Sequence, residues 1–168
     1  MSDTERLFTT YHATLVRYLT RRLGDRDWAE EVAQETFVRA LRQDHIVNER
    51  SWLFAVATNL VRDDARKEAR RRRHLELLAA EQRDAHVDAP DVSVARALDA
   101  ADARRALDTL AERDRQALLL KEEGLDYTEI AEILGVAVGS VGTTLSRARR
   151  RLAESFEAQQ RARAERRA

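Results

Sequence analysis

A chain of 168 residues, 43% hydrophobic and 36% charged, has room for one domain or two small ones and enough apolar material for compact cores. The absence of cysteine excludes disulfides, thiolate metal sites and cysteine nucleophiles, and the scarcity of Gly and Pro beside abundant Ala, Leu, Arg and Glu points to an all-α fold class. The formal net charge is zero, which taken alone argues against a general polyanion binder, but a total conceals how the charges are placed.

Ser2 and Glu5 have capping-box spacing, and Leu7, Tyr11, Leu15, Tyr18 and Leu19 recur at helical intervals until Gly24. Asp27, with Glu30 three residues on, is the expected cap of a second helix whose buried stripe is Ala29, Val32, Ala33, Thr36, Ala40 and Leu41. After the polar stretch RQDHIVNER, the residues Leu53, Val56, Ala57, Leu60 and Val61 predict a third helix running through Arg73. Its end is strongly basic, with Arg62, Arg66, Lys67 and Arg70 through Arg73.

An acidic, Ala-rich stretch follows that holds the single proline, Pro90, and shows little apolar periodicity. It reads as a linker over residues 79–100, separating a domain at 1–78 from one at 101–158, with a short charged tail at 159–168 expected to fray. No stretch reaches the ~20 apolar residues of a membrane span or resembles a signal peptide, so a cytoplasmic location is expected.

In the second domain Leu107, Leu110, Leu118, Leu119 and Leu120 supply a core. Asp126 and Glu129 then mark a capped short helix ending at Gly135, after which Val141, Leu145, Ala148 and Leu152 fall on one side of a second helix. The other side carries Thr143, Ser146, Arg147 and Arg150, flanked by Arg149 and Arg151. Two helices joined by a Gly-containing corner, the second exposing small hydroxyls and arginines, is what a helix-turn-helix needs in a major groove. The arginines alone would fit a solvated helix end equally well.

A second face is visible on the third helix. Trp52, Asn59, Asp63, Arg66 and Arg70 share it, combining a ring that can stack, an amide that can read a base edge and a row of cations, as unstacked single strands require. By spacing alone Trp52 fits a core position equally well, and Asp63 can pair within the helix with Arg66 or Lys67.

The segments EEVAQETFVRAL, SWLFAVATNLVRDDARKEARRRR and ALDTLAERDRQALLLKEEGLDYTEIAEILGVAVGSVGTTLSRARRRL together resemble the sigma-70 superfamily, specifically its extracytoplasmic-function group. The resemblance implies a sigma factor that binds core RNA polymerase and directs promoter-specific initiation. Gln34, Glu35, Phe37 and Arg39 are then the implied contacts to the polymerase clamp, and Trp52, Asn59, Asp63, Arg66 and Arg70 the minus-ten readers. Thr143, Ser146, Arg147, Arg149 and Arg150 are the implied minus-thirty-five set, on a domain that also meets the polymerase flap.

An anti-sigma partner commonly accompanies such proteins. The linker either enters the polymerase channel or acts as a simple tether. Two positions depart from the family pattern, since Gly142 stands where a cation is common and Ala137 where a capping Ser or a Pro is common, so altered minus-thirty-five specificity is expected.

No cofactor and no metal site is implied, His12, His45, His74 and His86 lacking ligand spacing. Neither a phosphate loop nor a nucleophile elbow argues for an enzyme. A stand-alone helix-turn-helix regulator would explain residues 103–153, but not EEVAQETFVRAL beside an Arg-rich helix carrying Trp52 and Asn59.

Overall fold

The computed structural model describes residues 2–75 and 94–168, with the backbone alone described at 66–75 and 94–98. Among the described residues there are seven helices and no strand, in two compact units, Met1–His86 and Val87–Ala168.

The N-terminal unit packs α1 (Asp3–Leu23), α2 (Arg26–Ala40) and α3 (Glu49–Leu75) on one another. The capping box of α1 forms as expected, Glu5 N–H donating to Ser2 Oγ at 3.2 Å and Ser2 N–H to Glu5 Oε2 at 3.4 Å. Gly24 closes the helix at φ 71°, the left-handed conformation that glycine adopts without a Cβ penalty. The cap of α2 is Asp25 rather than Asp27: Asp25 has the extended backbone a cap requires, and its Oδ1 accepts from Trp28 N–H at 3.0 Å. Asp27 lies inside the first turn, where its charge still favours the helix dipole.

Tyr18 and Phe54 centre this core with ring centroids 5.1 Å apart, among the fully buried Leu15, Leu19, Leu53 and Ala57. The buried hydroxyl of Thr36 donates to Val32 O at 2.8 Å, so an otherwise apolar stripe tolerates it. Leu41, expected in that stripe, is instead 62% exposed, because the helix ends at Ala40 and Leu41 is its C-cap. Asn48 Oδ1 accepts from Ser51 N–H at 3.2 Å at the start of α3, and Glu49 there takes both guanidinium amines of Arg6 from the start of α1.

The C-terminal unit consists of α4 (Val94–Asp108), α5 (Glu112–Glu122), α6 (Tyr127–Leu134) and α7 (Val138–Glu165), with α7 packed against each of the others. Its core includes Leu110, Leu120, Leu125, Ile130, Val141 and Leu145. Two expectations change here. The last residues of the range read as linker, 94–100, are helical and begin α4, while residues 79–93, Pro90 among them, lie outside the described residues.

The charged tail also differs from the frayed segment expected. It continues α7 to Glu165, and Arg163 bonds Asp99 at 3.1 Å and pairs with the buried Asp102 at 3.1 Å. Gln160 donates to Asp99 at 3.2 Å, and Thr109 to Ser155 Oγ at 3.0 Å. Polar contacts of this kind leave no apolar periodicity in the sequence.

Candidate nucleic-acid interface

The corner between α6 and α7 is built locally. Glu129 N–H donates to Asp126 Oδ1 at 2.8 Å and Asp126 N–H to Glu129 Oε1 at 3.1 Å, completing a capping box at the start of α6. Gly135 at φ 66° ends that helix, and α7 departs at 92° to it, within the range of about 90–120° found in helix-turn-helix pairs. Ala137, at the N-cap of α7, makes no side-chain cap bond.

On α7, Val141, Leu145 and Ala148 are buried, and Thr143, Ser146, Arg149 and Arg150 are exposed. Arg147 stands apart from the expected base-facing set. Its Nη2 donates to Asp114 Oδ1 at 2.6 Å and its Nε to Asp114 Oδ2 at 3.2 Å, a two-bond fork onto a carboxylate that is 1% exposed. The hydrogen bonds it donates to this carboxylate, and then the carboxylate's charge, push the Arg147 guanidinium above its ordinary pKa. Gly142 points toward α6, since a Cβ there would meet Tyr127 Cε2 at 3.5 Å.

On α3, Trp52 is half-buried while Asn59, Arg62 and Asp63 are exposed. The backbone carries Arg66 and Arg70 on the same helix, but their side chains lie outside the described residues. One helix thus carries a half-buried indole, an exposed amide and exposed charge at Arg62 and Asp63.

The exposed side of α2 carries Gln34, Glu35 and Arg39, the last two paired at 3.0 Å. Phe37 does not join them. It is 5% exposed and meets the Phe8 ring edge-on at 5.1 Å, because the turn that points Gln34 and Glu35 outward rotates Phe37 into the core. Val38 on α2, Leu41 at its C-cap and Phe8 on α1 are exposed apolar groups beside it. Sequence reading missed Val38 as a surface residue, although an apolar side chain four positions after Gln34 and three after Glu35 was the available signal.

Among the described residues no group of three or more His, Asp or Glu is placed to hold a metal ion, and no single helix is long and apolar enough to cross a membrane.

Residues 7–71 match the family model Sigma-70 region 2, and residues 100–152 match Sigma-70, region 4. The chain is 33% identical over 157 residues to the ferric citrate uptake sigma factor FecI of Escherichia coli (strain K12), covering 86% of this chain and 85% of that protein. It is 32% identical over 162 residues to the RNA polymerase sigma factor YlaC of Bacillus subtilis (strain 168), covering 90% and 91%. Identity to the ECF RNA polymerase sigma factor SigL of Mycobacterium tuberculosis (strain ATCC 25618 / H37Rv) is 32% over 152 residues, covering 87% and 84%. Among solved structures, the sigma factor RpoE in complex with the anti-sigma factor NepR from Bartonella quintana has the same fold, with a TM-score of 0.74 at 24% identity over 94% of this chain and 98% of that one.

Proposed function

The chain belongs to the sigma-70 family, in its extracytoplasmic-function group, and from that premise we propose how its surfaces divide the work of promoter-specific initiation. It is a sigma factor that directs transcription initiation. The exposed side of α2, with Gln34, Glu35 and Arg39, docks on the clamp of core RNA polymerase, and Val38 adds apolar contact there. Phe37 supports that surface from beneath.

The exposed row on α3 then takes the non-template strand of the minus-ten element. Stacking on Trp52 and amide contact from Asn59, with Asp63, Arg66 and Arg70 along the same helix, offset the few kcal/mol that unstacking a base step costs. The α6–α7 corner sets α7 in duplex DNA at the minus-thirty-five element, with Thr143 and Ser146 close to base edges and Arg149 and Arg150 on phosphate or guanine. The observation that carries the reading is that both nucleic-acid faces lie inside the two matched regions, 7–71 and 100–152.

The bond-making chemistry belongs to the polymerase, and this chain supplies recognition and positioning, in the cytoplasm where the polymerase works. An anti-sigma factor is its expected regulator, by likeness to the RpoE complex with NepR.

The test is run-off transcription with purified core polymerase on genomic fragments. The chain confers discrete start sites, and Trp52→Ala with Asn59→Ala abolishes initiation on a closed duplex while sparing it on a template with a pre-opened bubble. A stand-alone regulator would leave the core enzyme silent.

A further inference from the structure

The RARRR run on α7 offers four cations, and the fold does not use them alike. At about 100° per residue, Thr143, Ser146 and Arg150 lie opposite the buried face, Arg149 lies on the flank shared with Gly142 and α6, and Arg147 and Arg151 lie on the flank that faces α5. Asp114, in the first turn of α5, meets both residues of that last flank. Its carboxylate takes the two-bond fork of Arg147 at 2.6 and 3.2 Å and Arg151 Nη1 at 3.5 Å.

We propose that Asp114 is a positioning residue for duplex reading, which draws Arg147 and Arg151 off the recognition surface so that phosphate contact on α7 falls to Arg149 and Arg150. This rests on the reading of α7 as the duplex-binding helix. A carboxylate that is 1% exposed cannot exchange its cations for water without being left buried and unpaired, so the fork persists when DNA arrives. The start of α5 favours the anion further, through the positive end of the helix dipole. The same fork joins α5 to α7 across 33 positions of sequence, fixing the rotation of α7 about its own axis and with it which side chains face the groove. Arg147, which occupies a base-facing position by family resemblance, acts through that rotation instead.

The counterion-release slope distinguishes a cation on phosphate from one held internally, each phosphate contact contributing about 0.9 to the fall of log K with log salt. Binding of the full-length chain to a short duplex of mixed sequence is followed by fluorescence anisotropy across a salt series, with thermal melts of each variant in parallel.

Arg150→Gln flattens the slope by about 0.9 with little change in melting temperature. Arg147→Gln lowers the melting temperature by several degrees and keeps the wild-type slope. Asp114→Asn releases both arginines and steepens the slope by about 0.9 for each one that reaches a phosphate.

A flattening by Arg147→Gln equal to that of Arg150→Gln, at unchanged melting temperature, overturns the proposal. Should Arg147→Gln fail to fold, Asp114→Asn decides alone, and an unchanged slope there overturns it too. Failure of the wild-type chain to direct run-off transcription strikes the functional reading and leaves these slopes to be judged separately.

Discussion

Leu145 is fully buried at 0% exposure on α7, the helix against which α5 and α6 pack. Leu145→Ala removes three carbons, worth about 2.4 kcal/mol at roughly 0.8 kcal/mol each. The residual cavity raises the expected loss to about 3–5 kcal/mol. For a unit of this size each kcal/mol moves the midpoint by about 4–8 °C, so the C-terminal unit melts at least about 12 °C lower.

The assay separates the two units without labels. Both tryptophans, Trp28 and Trp52, belong to the N-terminal unit, so their emission follows that unit while far-UV circular dichroism follows helices in both. The variant gains an early transition in circular dichroism with little change in the tryptophan midpoint, and loses duplex binding above that early transition. A shift below about 4 °C would refute the packing argument, because it would mean less than about 1 kcal/mol was lost on emptying the site.

The hydrogen bond from Arg6, and less strongly its charge, hold the Glu49 carboxyl below its ordinary value of 4.5, against an upward pull from burial. A depressed carboxylate contributes stability that is complete above its unfolded value and is lost as pH falls through the folded one. Glu49→Gln is therefore less stable than wild type near neutrality, and the gap in melting temperature closes below pH 4.5; a gap constant across pH would contradict the ion pair. Gly142→Arg places its side chain on the α6 flank past Tyr127, where the backbone has ordinary room, and should tighten duplex binding and steepen the salt slope by about 0.9. An unchanged slope would mean that this flank does not approach phosphate.

What could be read from sequence was local. The boxes at Ser2/Glu5 and Asp126/Glu129 and the closures at Gly24 and Gly135 depend on residues within a turn of one another, and all four form. Asp25 and Asp27 compete within the same turn, and the choice between them turned on which backbone stays extended after Gly24.

The site was legible as a set of faces rather than as a set of side chains. Thr143, Ser146, Asn59, Gln34 and Glu35 are exposed, but the rotation of Phe37 into the core depends on Phe8, far away in sequence on α1. The capture of Arg147 depends on Asp114, which no periodicity connects to it. The seating of Arg163 on α4 is of the same kind, made from charges in a stretch that looks solvated when read along the chain.

The single uninterrupted run of α7 from Val138 to Glu165 matters to anyone building chimaeras. The matched region stops at residue 152, which invites a splice there. Such a splice would cut through the middle of one helix and strand Ser155 from Thr109, and Gln160 and Arg163 from Asp99 on α4. The segment that keeps these contacts together in a transplant runs from Val94 through Glu165, moved whole.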